Sequence, residues 1–156
     1  MMTADPLSWC VDWQHLKPWE KMLMWFPLIG TQRSIYLDLL RQLRTRGPED
    51  RTAWAECPRD VAALADRVSE VLTEILGWPE TSVFLPDDPA DIVFWDRTGD
   101  LAGVEAIMAV EEELCVKMDD EFWENLSTMT YAEVLEKLNL KRAQLRHSEA
   151  GICSAE

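Results

Sequence analysis

Histidine is nearly absent from this chain: His15 and His147 are the only two in 156 residues. Cysteine is sparse, and Cys10, Cys57, Cys115 and Cys153 sit far apart with no Cys-x-x-Cys pair. Neither residue type therefore offers the spacing of a zinc site. Scattered thiols fit a reducing cytoplasm better than a disulfide framework. No apolar run approaches the roughly 20 residues that a membrane span needs. The opening residues Met1-Met2-Thr3-Ala4-Asp5-Pro6 lack a basic region followed by an apolar stretch, so no secretory signal is expected. Gly-rich phosphate loops and a Gly-x-Ser-x-Gly elbow are also missing. Positive charge is scarce: 15 Lys and Arg face 29 Asp and Glu, a formal net charge of −14. Such a surface repels nucleic-acid phosphates and favours a protein partner with a basic surface.

What is present is a foldable chain. Apolar residues make up 47%, too many for a disordered acidic tail. The length suits one domain of ordinary size with an added arm. Charge divides the chain unevenly. Residues 1–56 hold seven basic and seven acidic groups, whereas residues 57–138 hold five basic against twenty acidic. The remainder, 139–156, is slightly basic. The polar stretch Arg46-Gly47-Pro48-Glu49-Asp50-Arg51, with Gly-Pro as a breaker, marks the expected boundary. Three parts follow: a helical Trp-rich arm (1–56), a helical bundle (57–140) and a basic tail (141–156).

The arm reads as two helices. Pro18 suits a first helical position, and Trp19, Met22, Leu23, Met24, Trp25 and Phe26 crowd the run that Pro27 and Gly30 end. A second helix over about Gln32–Arg44 places Ile35, Tyr36, Leu39, Leu40 and Leu43 on one side and Arg33, Arg41 and Arg44 on the other. Trp19, Trp25, Ile35 and Leu39 either pack the arm onto the bundle, form a partner or homodimer surface, or line an apolar pocket.

In the acidic middle, Pro58 and Asp60 mark a helix start. Val61, Leu64, Ala65, Val68, Val71, Leu72 and Ile75 then recur at helical spacing until Gly77 stops them. The connection Trp78–Gly99 is long, and needs Val83, Phe84, Leu85, Ile92, Val93, Phe94 and Trp95 as anchors. An acidic helix follows, with Asp100 as its expected cap and Leu101, Val104, Ile107, Met108, Val110 and Leu114 along it. Glu105, Glu111, Glu112 and Glu113 are expected to face away from the core. Asp119-Asp120-Glu121 opens a short turn of helix. Thr130-Tyr131-Ala132-Glu133 has capping-box spacing and starts a last helix, with Val134, Leu135 and Leu138 buried, that continues through Leu145.

This order of elements resembles the acyl carrier protein family. The resemblance covers roughly residues 58–138. It is carried by Leu101, by Val104-Glu105, by Glu111-Glu112-Glu113-Leu114 at the acidic helix end, by Met118-Asp119-Asp120-Glu121 and by Leu126-Ser127-Thr128-Met129. It implies an all-α fold, a four-helix acyl-carrier-like bundle to which the N-terminal arm is added. In that family the serine before the matching Leu carries a phosphopantetheine arm. Here Asp100 stands in its place, behind Gly99, and a carboxylate cannot form the serine phosphodiester. No cofactor is therefore expected. Asp100 reads as a helix cap, or as a charge that mimics the phosphorylated serine.

By the same resemblance the acidic helix is the docking face: Asp100, Val104, Glu105, Met108, Glu111 and Glu112 would meet a basic partner. Other readings stand beside this one: a working carrier with an atypical attachment point such as Thr98, or a binder of an apolar small molecule. Asp87, Asp88, Asp91, Asp96 and Asp100 cluster in the loop but lack calcium-loop spacing, so no metal site is expected. Cys115, at a helix C-terminus among acids, is poorly placed for a nucleophile. The chain is not expected to be an enzyme.

Overall fold

Helices form where the apolar spacing demands them, and the connections between them are packed rather than loose. The structure is a computed structural model and describes residues 4–9, 31–96 and 101–152. The described residues are mostly helical and contain no strand, only an isolated bridge between Pro89 and Thr130. The expected helix over Pro18–Ile29, with Trp19 and Trp25, lies outside the described residues, as do Cys10, His15, Cys153, Thr98, Gly99 and Asp100.

α1 spans Thr31–Arg44 and buries Ile35, Leu39, Leu40 and Leu43, with Tyr36 half-buried. Arg41 and Arg44 fall in its last turn, where the helix dipole favours cations. Beyond it, Pro48–Glu56 forms a 3₁₀ helix instead of the expected polar break. The segment is fastened. The buried Asp50 carboxylate accepts the Gly47 amide at 2.8 Å and the Ala4 amide at 3.3 Å. Trp54 Nε1 donates to the Phe84 carbonyl at 2.9 Å.

α2, Arg59–Leu76, buries Val61, Leu64, Ala65, Val68 and Leu72, and Asp60 sits in its first turn. Gly77 ends it in the left-handed region at φ 70°, a conformation that glycine adopts without a Cβ penalty. α3 is the single turn Ala90–Val93. α4 spans Ala102–Leu114, α5 spans Asp120–Glu124, and a 3₁₀ turn covers Leu126–Thr128. α6 runs from Tyr131 to Ile152. The Asp119 carboxylate caps α5 by accepting the Phe122 amide at 2.9 Å. The capping box at α6 forms as expected, with Thr130 N–H donating to Glu133 Oε2 at 2.7 Å and Glu133 N–H to Thr130 Oγ1 at 3.3 Å. α6 extends past the Leu145 to which the sequence takes it.

α2 is the central element: α4 packs on it, α6 packs on it, and the 3₁₀ segment Pro48–Glu56 touches it. One cluster of buried side chains includes Leu7, Leu39, Leu72, Ile92, Val110 and Leu138. The charge change near Arg46 is therefore not matched by a break in the core. The long connection after α2 is anchored by burial of Val83, Phe84, Leu85, Ile92, Val93 and Phe94. Tyr131 lies at its centre with no exposure, edge-on to Trp54 and Phe84. Its hydroxyl lies 3.0 Å from Ser69 Oγ and 3.3 Å from the Ala65 carbonyl.

The most consequential contact joins residues 42 apart. Arg46 and Asp88 are both buried and pair through two 2.7 Å hydrogen bonds. Arg46 also donates to the carbonyls of Val83 at 2.9 Å and Asp5 at 2.8 Å. Asp88 accepts the amides of Leu7 at 2.8 Å and Leu85 at 2.7 Å. Two buried charges are tolerable here because the four carboxylate contacts and the guanidinium contacts replace water. The pair ties residues 5–7, the end of α1 and the 83–88 loop into one unit.

Candidate functional site

α4 begins one residue later than the sequence suggests. Leu101, not Asp100, holds the cap position, and it does so in the left-handed region at φ 66° without a side-chain cap bond. The inner face of α4 is set by its small and branched residues: Ala106, Val110 and Leu114 are buried against the bundle. Four-residue steps from Ala106 keep this stripe on one side.

The opposite side carries the large apolar residues. Leu101 is 70% exposed, Val104 52% and Met108 63%. The sequence names Leu101, Val104 and Met108 along this helix with Val110 and Leu114, and the structure puts the first three on the side away from Val110 and Leu114. The periodicity explains it: Val104, Met108 and Glu112 advance in steps of four, as do Ala106, Val110 and Leu114, and a two-residue offset puts the two rows about 160° apart at roughly 100° per residue. Glu105 and Glu112 lie along one edge of the exposed row, seven residues and two turns apart. Neither carboxylate has a hydrogen-bond or ion-pair partner among the described residues.

Glu111 belongs elsewhere. Its Oε1 accepts the Met118 amide at 2.8 Å and the indole Nε1 of Trp123 at 3.0 Å. It therefore holds the turn between α4 and α5 and is not available for docking in the same way as Glu105 and Glu112. Glu113 stays exposed and pairs at the surface with Arg67 of α2, which also donates to the Glu113 backbone carbonyl at 3.0 Å. Of the six residues that the sequence places on one docking face, the structure gathers Val104, Glu105, Met108 and Glu112. It adds Leu101, diverts Glu111 to the interior of the α4–α5 turn, and does not describe Asp100.

The loop aspartates do not converge. Asp88 is neutralised by Arg46, and Asp91 Oδ2 accepts Trp9 Nε1 at 3.1 Å. Among the described residues no group of His, Cys, Asp or Glu has the arrangement of a metal site. A groove of about 700 Å³ does run beside α2, but its walls are Asp66, Glu70, Glu74 and Glu80 with Arg51 and Trp78. Four carboxylates make it unsuited to the apolar ligand that the sequence allowed for.

The nucleophile candidates are no better served. The Cys57 thiol is pushed up, first by desolvation and then by Glu136, Asp87 and Glu56, away from the reactive thiolate. Burial likewise pushes the Tyr131 phenol far above its ordinary value, against a smaller opposing effect of the Ser69 hydrogen bond. Cys115 is exposed in the left-handed cap of α4 at φ 52°. Among the described residues, no helix is long and apolar enough to cross a membrane. Compared with known protein families, curated proteins and solved structures, the chain finds no match.

Proposed function

We propose that this chain is a non-catalytic interaction module of acyl-carrier-like design, lacking the attachment serine, whose α4 docks a partner with a basic surface. One observation carries the reading: an exposed apolar row, Leu101, Val104 and Met108, is rimmed by the unpaired carboxylates Glu105 and Glu112. Large exposed apolar side chains grouped on one helix face mark interaction sites more often than solvent surface. The rim carboxylates would steer a Lys- or Arg-bearing partner and set its orientation. The order of helices after Pro58, and the packing of α4 and α6 on α2, support the four-helix acyl-carrier-like arrangement. Free thiols at Cys57 and Cys115 go with a reducing, cytoplasmic setting.

The test is direct binding of a fluorescently labelled amphipathic helical peptide of Leu and Lys, read by anisotropy. Micromolar binding is expected, and Glu105→Lys with Glu112→Lys should weaken it at least about tenfold, equivalent to about 1.4 kcal/mol. Unchanged binding by the double variant would overturn the assignment of this face. Incubation with coenzyme A and a phosphopantetheinyl transferase should leave the intact mass unchanged. A gain of one arm would replace the reading with that of a working carrier.

A further inference from the structure

We infer that the outer face of α4 binds the distal half of α6 from a second copy of this chain. The inference rests on the docking reading of α4 and names its occupant. α6 is 22 residues long, and its first turns bury Tyr131, Val134, Leu135 and Leu138 completely. Past Leu138 the bundle no longer covers it. Leu145 stands seven residues on from Leu138, two turns further along the same stripe, yet it is 40% exposed. The buried stripe of α6 therefore outruns the core.

Around Leu145 the charge is of one sign. Lys141 and Arg142 lie four and three residues before it, on the same side of the helix, and Arg146 follows it. No carboxylate occurs between Glu136 and Glu149. Lys141, Arg142 and Arg146 have no ion-pair or hydrogen-bond partner among the described residues. This is the complement of α4: an apolar centre with a basic border, against an apolar centre with an acidic border.

At the helical rise of 1.5 Å per residue, Leu101 to Glu112 covers about 16 Å and the exposed stretch Lys141 to Arg146 about 8 Å, so the α6 surface fits within the row on α4. Within one copy the two surfaces do not meet. The inner faces of both helices pack on α2, and the outer row of α4 stays exposed with its own α6 in place. A twofold pair of chains satisfies both surfaces twice, which a chain carrying each half once requires for closure.

The experiment is sedimentation equilibrium at about 0.15 M salt, where the Debye length of about 8 Å screens the repulsion between two acidic molecules. The wild-type chain should be dimeric at about 100 µM. Glu105→Lys/Glu112→Lys and Lys141→Glu/Arg146→Glu should each be monomeric. A one-to-one mixture of the two should recover a dimer, because the basic α4 of one then faces the acidic α6 of the other. The milder pair Glu105→Gln/Glu112→Gln should weaken the dimer in the same direction, which covers a reversal variant that fails to fold. A monomeric wild type, or a mixture that stays monomeric, overturns the inference. A monomer that still binds the Leu/Lys peptide overturns the inference alone and leaves the docking reading standing.

Discussion

Replacing Asp88 with Asn tests whether the buried ion pair organises the fold. The substitution keeps shape and size and changes only charge and one donor. Asp88 Oδ1 accepts the Leu7 amide at 2.8 Å and Arg46 Nη2 at 2.7 Å, while Oδ2 accepts the Leu85 amide at 2.7 Å and Arg46 Nη1 at 2.7 Å. Whichever way the amide is turned, its NH₂ meets two donors. The Arg46 charge is left buried with only carbonyls around it. Breaking a buried pair from one side costs about 3–5 kcal/mol. For a chain whose total stability is about 5–15 kcal/mol, that is a large share. Chemical denaturation followed by far-ultraviolet circular dichroism, under reducing conditions, reads it directly, and the thermal midpoint should fall by about 10 °C. Arg46→Met should cost a similar amount. The double variant should cost less than the sum by more than about 1 kcal/mol, because each change removes the other's penalty. A loss below about 1 kcal/mol for Asp88→Asn would refute the argument that these contacts replace hydration.

Other consequences are as concrete. Leu7→Ala removes a fully enclosed side chain from the shared core and should cost about 2–4 kcal/mol in the same assay; a cost near zero would mean residues 4–9 do not belong to the fold. Tyr131 keeps its proton to higher pH in the folded chain than in the unfolded one, since burial raises it from an ordinary value of 10.0. Its contribution is therefore complete below pH 10 and falls as pH rises beyond it, by up to about 1.4 kcal/mol per pH unit. Tyr131→Phe should flatten that alkaline decline, measured as denaturation midpoints across the range, while costing about 1 kcal/mol at neutral pH for the lost hydroxyl contacts. Cys115 holds a left-handed conformation at φ 52° with an exposed side chain. Cys115→Gly should raise stability by about 0.5–1 kcal/mol by removing the Cβ strain.

What the sequence disclosed was local. α2 is legible because Val61, Leu64, Ala65, Val68 and Leu72 repeat with one period, and Gly77 can turn left-handed where they stop. The start of α6 is legible because Thr130 and Glu133 satisfy each other's backbone amides within one turn. The Arg46–Asp88 pair is not legible in the same way. Its members are 42 residues apart, and Asp88 sits among Asp87, Asp91 and Asp96, which suggests a solvated acidic loop. The packing of Pro48–Glu56 was hidden for a related reason, since Gly-Pro followed by charges has the composition of a linker. Only the depth of Asp50 and the reach of Trp54 to Phe84 show otherwise. α4 is apolar on both sides, so periodicity alone did not say which row was inside. The smaller Ala106 lies fully buried on the row that packs toward α2, which leaves Val104 and Met108 outside.

The acidity of the middle region divides in a way that bears on function. Asp88, Asp91, Glu111, Asp119 and Glu133 each accept a hydrogen bond from a neighbouring element, turn or cap. Those carboxylates are part of the folding problem. Glu105 and Glu112 are not: they stand beside exposed Val104 and Met108, bind nothing in the described chain, and add like charge to an acidic surface. For the isolated molecule such a row is mildly unfavourable, since it leaves apolar area in water and places two carboxylates on one helix face. A contact that covers the apolar row and neutralises the rim removes both costs at once. Glu105→Lys/Glu112→Lys should therefore leave the unfolding free energy within about 0.5 kcal/mol of wild type, or raise it slightly, while weakening peptide binding at least about tenfold. Equal losses in stability and binding would show that the carboxylates serve the fold, and the face would lose its claim to a partner.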